Sequence, residues 1–244
     1  MKKGIYLLGL GVLLLLCMDL QAKVRLPHFF SSNMVLQRDM PIRVWGKADK
    51  NEVISVALNG SVQTAKTGKD GIWRVELPAM KAGGPYDMQI ESAEETIGLT
   101  NILIGDVWVC SGQSNMEFGL NNVINAGQEI AASTLPDIRL LNVPKNMQSK
   151  EQFDLEPCEW TACNPQTSPL FTAVGYFFGK ELQPEIGVPV GLIHTSWGGT
   201  NVESWISGKV LQEMPDFSKV VEDIRAMPDK AAMKADYLKA LDAW

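Results

Sequence analysis

The sequence predicts an α/β protein, a parallel sheet with helices, preceded by a small all-β sandwich. Three observations carry that prediction. Residues 24–103 are short apolar-patterned runs separated by turn residues. From residue 104 the pattern lengthens into separated apolar runs with a helical period between them. Two of those runs break abruptly into polar turns containing glycine.

Residues 1–22 read as a secretory signal peptide, with Lys2 and Lys3 as the positive end, an apolar core over 5–18, and Leu20-Gln21-Ala22 as the cleavage site. The core is too short to favour a permanent transmembrane span, with an uncleaved anchor as the alternative. Leu16 precedes Cys17 where lipid attachment wants a small residue, so lipidation is not expected. The protein is therefore expected to be secreted or periplasmic, without a stable membrane span once residues 1–22 are removed.

With 244 residues, 45% of them apolar and 20% charged, the chain has material for one large core or two smaller ones. The net charge is −6, and removing Lys2, Lys3 and Asp19 with the leader makes it −7, which argues against nucleic acid as a partner. Cys110, Cys158 and Cys163 remain, an odd number for an oxidising compartment. Cys110 sits in an apolar run and reads as a core thiol, while Cys158 and Cys163 bracket four residues and could bridge. The two histidines, His28 and His194, make no zinc spacing with the cysteines, and neither a metal nor another cofactor is expected. Nothing in the sequence sets the oligomeric state.

In residues 23–103, Ile54, Val56 and Leu58 alternate with Ser55 and Ala57 before Asn59-Gly60, and residues 61–65 continue on the other side, a hairpin with a type I′ turn. Asp70-Gly71 starts a second strand in which Trp73, Val75 and Leu77 face one way while Arg74 and Glu76 face the other. Pro78 and then Gly83-Gly84-Pro85 end it, and residues 86–91 make another strand. Strands at this spacing suggest a sandwich of about 80 residues. Trp45 and Trp73 could stack on a sugar or fill the sandwich core.

From 104 the expected unit runs to 244. Residues 107–110 are apolar throughout, as in a strand covered on both faces. They run into Ser111-Gly112-Gln113-Ser114-Asn115-Met116-Glu117, where Gly112 allows a bend and Ser114 with Glu117 reads as a capping box. Residues 117–132 are long enough for a helix broken near Gly127, 137–143 for a buried strand, and 144–170, with four prolines, for an irregular excursion. Phe171, Val174, Phe177, Phe178 and Leu182 fall at helical spacing and predict an amphipathic helix on the sheet. A strand over 190–194 follows and delivers Ser196-Trp197-Gly198-Gly199-Thr200 at its end, beside Ser114. Residues 230–244 predict a last amphipathic helix carrying Met233, Tyr237, Leu238 and Leu241.

Ser114 has two readings. It can cap a helix, or it can be a nucleophile at a strand-to-helix junction where free backbone N–H groups meet an oxyanion. The flanking residues Gly112-Gln113-Ser114-Asn115-Met116 are not needed by a cap. They resemble the GQSNM signature of the SGNH/GDSL-type hydrolases, specifically the sialate O-acetylesterase family. Residues 188–206, with Trp197-Gly198-Gly199-Thr200 and Glu203-Ser204-Trp205, are similar to the family's second block, and 171–182 to the helix before it. The similarity runs over residues 24–208.

The resemblance implies an SGNH-like three-layer sheet and hydrolysis of O-acetyl esters on a sugar, with sialic acid as the family substrate and acetylated plant polysaccharide as a rival. It implies Ser114 as nucleophile and, for the oxyanion, the Ser114 N–H with that of Gly199 or Gly198. Gln113 and Asn115 would hold the serine loop by hydrogen bonds to backbone and line the substrate site; Glu203 and Trp205 would contact the sugar or anchor the turn. The family's Asp-x-x-His base block is absent from these 244 residues, and neither His194 nor His28 follows an aspartate by three. The chain is therefore expected to be an N-terminal fragment, inactive alone. The alternatives are a non-catalytic carbohydrate-binding protein and a hydrolase of another ester or amide.

Overall fold

The structure, a computed structural model, describes residues 24–148, 150–228 and 230–242. The expected leader at 1–22 lies outside the described residues. The first strands are β1 (Val35–Gln37), β2 (Ile42–Lys47), β3 (Val53–Leu58), β4 (Ser61–Lys66), β5 (Ile72–Leu77), β6 (Gly83–Glu91) and β7 (Thr96–Gly112). Helices α1 (Ser114–Glu117) and α2 (Ala126–Ala131) lead to β8 (Leu135–Asn142) and β9 (Trp160–Cys163). After these come α3 (Ala173–Ile186), β10 (Val190–Ser196), α4 (Gly208–Gln212), α5 (Pro215–Ala226) and α6 (Lys230–Asp242).

Asn59 and Gly60 both take positive φ, 45° and 78°, and β3 and β4 pair across them from Leu58↔Ser61 outward. On β5, Trp73, Val75 and Leu77 are buried while Arg74 and Glu76 face solvent. Trp73 is a core residue, and the half-buried Trp45 packs edge-on to Phe30 with ring centroids 4.7 Å apart. Neither tryptophan offers an open platform for a sugar.

The expected boundary after residue 103 falls inside β7, which is 17 residues long. Its first part pairs antiparallel with β6, and its last part, from Asp106 to Gly112, pairs parallel with β10. One eight-stranded sheet results, in the order β4-β3-β6-β7-β10-β8-β9 with β1 also on β7, beside a two-stranded β2-β5 sheet. The sheet is mixed rather than parallel. The core crosses the expected boundary too, because Leu141 and Trp160 pack in the same cluster as Ile54, Trp73 and Ile90.

A polar knot reinforces this join. Arg139 of β8, 5% exposed, donates to Pro136 O at 3.0 Å, Asn33 Oδ1 at 3.3 Å and Asn101 Oδ1 at 3.2 Å. Asn101 in turn donates to Asn33 Oδ1 at 2.8 Å, and both asparagines sit at positive φ. A buried guanidinium must be satisfied in this way, because desolvating an unpaired one costs several kcal/mol, on the order of 3–5.

Local expectations also shift. Residues 117–132 form a 3-10 turn at Leu120–Asn122 and then α2, not one helix. The excursion 144–170 contains β9, which pairs antiparallel with β8. Trp108 and Val109 are exposed, so the strand before Ser114 is not covered on both faces among the described residues. Helix α3 is capped by Thr172, whose Oγ1 accepts from Gly175 N, but it presents Ala173, Gly175, Tyr176 and Gly179 inward and leaves Val174 and Phe178 outside. A Cβ on Gly179 would lie 2.8 Å from Leu192 Cδ1, so the close helix-to-sheet approach selects the small face. The apolar side chains of α6 stay exposed among the described residues. All three cysteines there are free thiols, so Cys158 and Cys163 are not bridged.

Candidate active site

Parallel pairing places the site. The register aligns His194 with Cys110, Thr195 with Ser111 and Ser196 with Gly112, so the chains leaving β7 and β10 depart from the same edge of the sheet. Gly112, at φ 139°, turns the chain out of β7, and its carbonyl accepts the Trp197 N–H at 3.0 Å. Ser114 is therefore brought to the second glycine turn across the intervening sequence. An ideal Cβ placed on Gly198 would lie 3.6 Å from Ser114 Oγ.

Ser114 is the first residue of α1 and is exposed. Its hydroxyl has no hydrogen-bond partner among the described residues. The expected capping box does not form: the N-cap position is Gln113, and no side chain caps the helix. Glu117 is used at long range instead. Its Oε2 accepts the backbone N–H of Gly198 and its Oε1 pairs with the Lys145 ammonium. Lys145 and then the Gly198 N–H hold the Glu117 carboxyl below its ordinary pKa. Lys145 also lies 5.5 Å from the centroid of the Trp197 ring.

Trp197-Gly198-Gly199-Thr200 is a turn closed by Thr200 N to Trp197 O at 3.4 Å, with only Gly199 at positive φ, 80°, the pattern of a type II turn. Thr200 Oγ1 donates to Trp197 O at 2.7 Å and accepts from Trp205 Nε1 at 2.9 Å. Trp205 thereby ties the 3-10 segment Val202–Trp205 to the glycine turn, with its ring still 39% exposed. Glu203 lies in the first turn of that segment, and its side chain makes no hydrogen bond or ion pair among the described residues.

Gln113 and Asn115 are exposed and make no side-chain hydrogen bond among the described residues, contrary to the expected bracing of the loop. They lie instead on an open depression of about 400 Å³ formed by residues 111–116 and flanked by Val174. α1 is braced by other contacts, with Met116 Sδ accepting from Thr172 Oγ1 at 3.4 Å.

Neither histidine hydrogen-bonds the Ser114 hydroxyl among the described residues, although His194 lies beside the Met116 backbone and Glu117. His194 Nδ1 meets Asn142 Oδ1 at 2.8 Å and Nε2 meets Ser196 Oγ at 2.6 Å. Burial lowers its pKa, which favours a neutral ring donating to Asn142 and accepting from Ser196. His28 is tied to Asp154 by its ring, at 2.9 Å, and by its backbone N–H, at 2.6 Å. Among the described residues no group of three or more His, Cys, Asp or Glu is placed to hold a metal ion. The arrangement sets an exposed hydroxyl beside a glycine turn whose Gly199 N–H has no partner among the described residues, groups that acyl-transfer chemistry can use. Sequence reasoning missed Lys145, which lies in a stretch without periodicity, and took Glu117 for a local cap.

Residues 104–238 match the family model described as carbohydrate esterase, sialic acid-specific acetylesterase. The sialate O-acetylesterase of Homo sapiens is 31% identical over 226 residues, covering 84% of this chain and 43% of that protein. That of Rattus norvegicus is 30% identical over 207 residues, covering 77% and 38%. A solved carbohydrate acetylesterase from Xanthomonas citri is similar in structure, with a TM-score of 0.76 and 38% identity, covering 79% of this chain and 44% of that one. The chain thus spans less than half the length of the curated relatives it matches.

Proposed function

This chain belongs to the sialic acid-specific acetylesterase family of carbohydrate esterases, and from that premise we propose that it removes O-acetyl groups from sugars, in the manner of a sialate 9-O-acetylesterase, with Ser114 as nucleophile. The observation that carries the reading is the free, exposed hydroxyl of Ser114 beside the Gly198-Gly199 turn. Ser114 Oγ attacks the acetyl carbonyl, the tetrahedral oxyanion is met by backbone N–H groups of Ser114 and the turn, and the sugar hydroxyl leaves with a proton. Water then releases acetate from the acyl-serine by the same steps in reverse order. A single donor of this kind contributes on the order of 10²–10³ in kcat.

A serine hydroxyl needs a base, and the ring nitrogens of His194 and His28 are engaged elsewhere. The base belongs, in this reading, to the part of the relatives' length that this chain does not span, so residues 23–244 alone are inactive. Secretion or export to a periplasm through residues 1–22 completes the proposal, and the acetylated substrate is met outside the cytoplasm. The engagement of both histidines also favours one second reading, a carbohydrate-binding protein without catalysis. Acetate release from O-acetylated sialic acid and from acetylated xylan, by the full-length protein and its Ser114→Ala variant, decides between them. Loss of release in the variant supports the esterase, the preferred substrate names its class, and equal release by both proteins removes the serine mechanism.

A further inference from the structure

Gly198 and Gly199 are not equivalent as donors. The Gly198 N–H already points into the carboxylate of Glu117, whereas the Gly199 N–H has no partner among the described residues. We propose that Glu117 is a positioning residue: with Lys145 on its other oxygen it clamps the Gly198 N–H, fixing the turn beside Ser114 and leaving the Gly199 N–H to meet the oxyanion. This rests on the reading of Ser114 as nucleophile.

Three observations support it. The contact spans 81 residues of sequence and joins the helix that carries the nucleophile to the backbone of the turn, whereas an ordinary surface ion pair links two side chains. The glycine at 198 is shaped to it, because a Cβ there would lie 2.8 Å from Glu117 Oε2. The cation is shared with the same turn, since Lys145 sits over the Trp197 ring. A carboxylate beside an oxyanion would oppose the reaction if its charge were free. Here one oxygen is met by an ammonium and the other by an amide, so the charge is spent on geometry.

The test compares the full-length protein with its Glu117→Ala, Glu117→Gln and Ser114→Ala variants, reading kcat and KM for acetyl ester hydrolysis and the melting temperature of each. Releasing the turn displaces the donor by a fraction of an ångström to an ångström, which costs on the order of 100-fold in rate. E117A is expected to lower kcat about 100-fold with KM within about threefold, since substrate binding does not use the clamp. E117Q keeps an oxygen that accepts the Gly198 N–H and is expected to stay within about tenfold of the parent. An E117A enzyme within about twofold of the parent, alongside a dead S114A, overturns the clamp and leaves the nucleophile standing. Full activity in S114A overturns the reading beneath it. Should E117A not fold, Gly198→Ala, whose Cβ would lie 2.8 Å from Glu117 Oε2, decides in its place: a loss of about 100-fold in kcat supports the clamp, and a loss within about twofold overturns it.

Discussion

Gly198→Ala probes the geometry of the turn directly. Built on the backbone, the new Cβ would lie 2.8 Å from Glu117 Oε2 and 3.6 Å from Ser114 Oγ, the first distance too short to persist and the second ordinary. The atom in the way is the far end of a flexible side chain, so the carboxylate is pushed off the Gly198 N–H. G198A should therefore reproduce E117A, with kcat reduced about 100-fold. If both substitutions act by the same loss, the double variant G198A/E117A should be no slower than either single one, about 100-fold below the parent rather than about 10⁴-fold. Gly199→Ala acts on the proposed donor residue itself, through its backbone and not through a contact. Nothing lies within 4 Å of its added Cβ, but the position holds φ 80°. Its cost is backbone strain of about 1–2 kcal/mol, read as a melting temperature lower by about 2–8 °C in a protein of this size. Steady-state kinetics and thermal unfolding of the four variants make the measurement. Multiplicative losses in the double variant would refute the shared mechanism, because they would mean that Gly198 and Glu117 act separately.

Two further outcomes follow from charge and burial. The Arg38 guanidinium, first, and Gln37 hold the Asp106 carboxyl below its usual range, with Arg38 Nε to Asp106 Oδ1 at 2.8 Å. A carboxylate depressed in the fold adds stability above its unfolded value, about 3.9, and loses it as pH falls through the folded value. The melting temperature should therefore drop between about pH 5 and pH 2, and Asp106→Asn should flatten that drop while lowering stability at neutral pH; parallel curves for the two proteins would refute the pairing. Burial pushes the Cys110 thiol up to about 11 and the Cys163 thiol up to about 12. An aromatic disulfide reagent near pH 8, on the order of the free thiol's pKa, should leave both untouched in the native protein and label them in denaturant, and fast native labelling of either would contradict the packing.

What could be read from the sequence was what depends on neighbours in the chain. Asn59-Gly60 declares its hairpin because a type I′ turn needs positive φ at both central residues, and the alternation of Trp73, Val75 and Leu77 declares a half-buried strand. Ser114 and the 198–199 turn could be paired because parallel strands deliver their ends to one edge. What could not be read was set by contacts across the fold. Gly105 lies within β7 because a Cβ would sit 2.0 Å from Pro189 O, where the chain enters β10. The period in 171–182 located α3, with Phe171 in the core and Phe177 packed against it, but Val174 and Phe178 face outward. A helix pressed onto β7 and β10 turns its glycines inward, as Gly175 shows with a Cβ position 2.9 Å from Cys110 Sγ. Phe178, displaced to the rim, packs against Trp108 at 5.0 Å.

The same distinction explains why Glu117 was misread. A Ser-x-x-Glu pattern satisfies its own helix end when nothing else competes for the carboxylate. Here the Trp197 N–H reaches Gly112 O, the Gly198 N–H arrives within reach of Glu117, and Lys145 comes from the loop after β8. A charged acceptor between an ammonium and a backbone donor is better satisfied than one folded back on its own helix. The helix thereby loses its cap and shortens to four residues, while the serine gains a fixed neighbour. Local stability at α1 is exchanged for placement of Ser114 against the turn, and an exchange of that sign is expected where backbone geometry, rather than folding alone, is what the residues must secure.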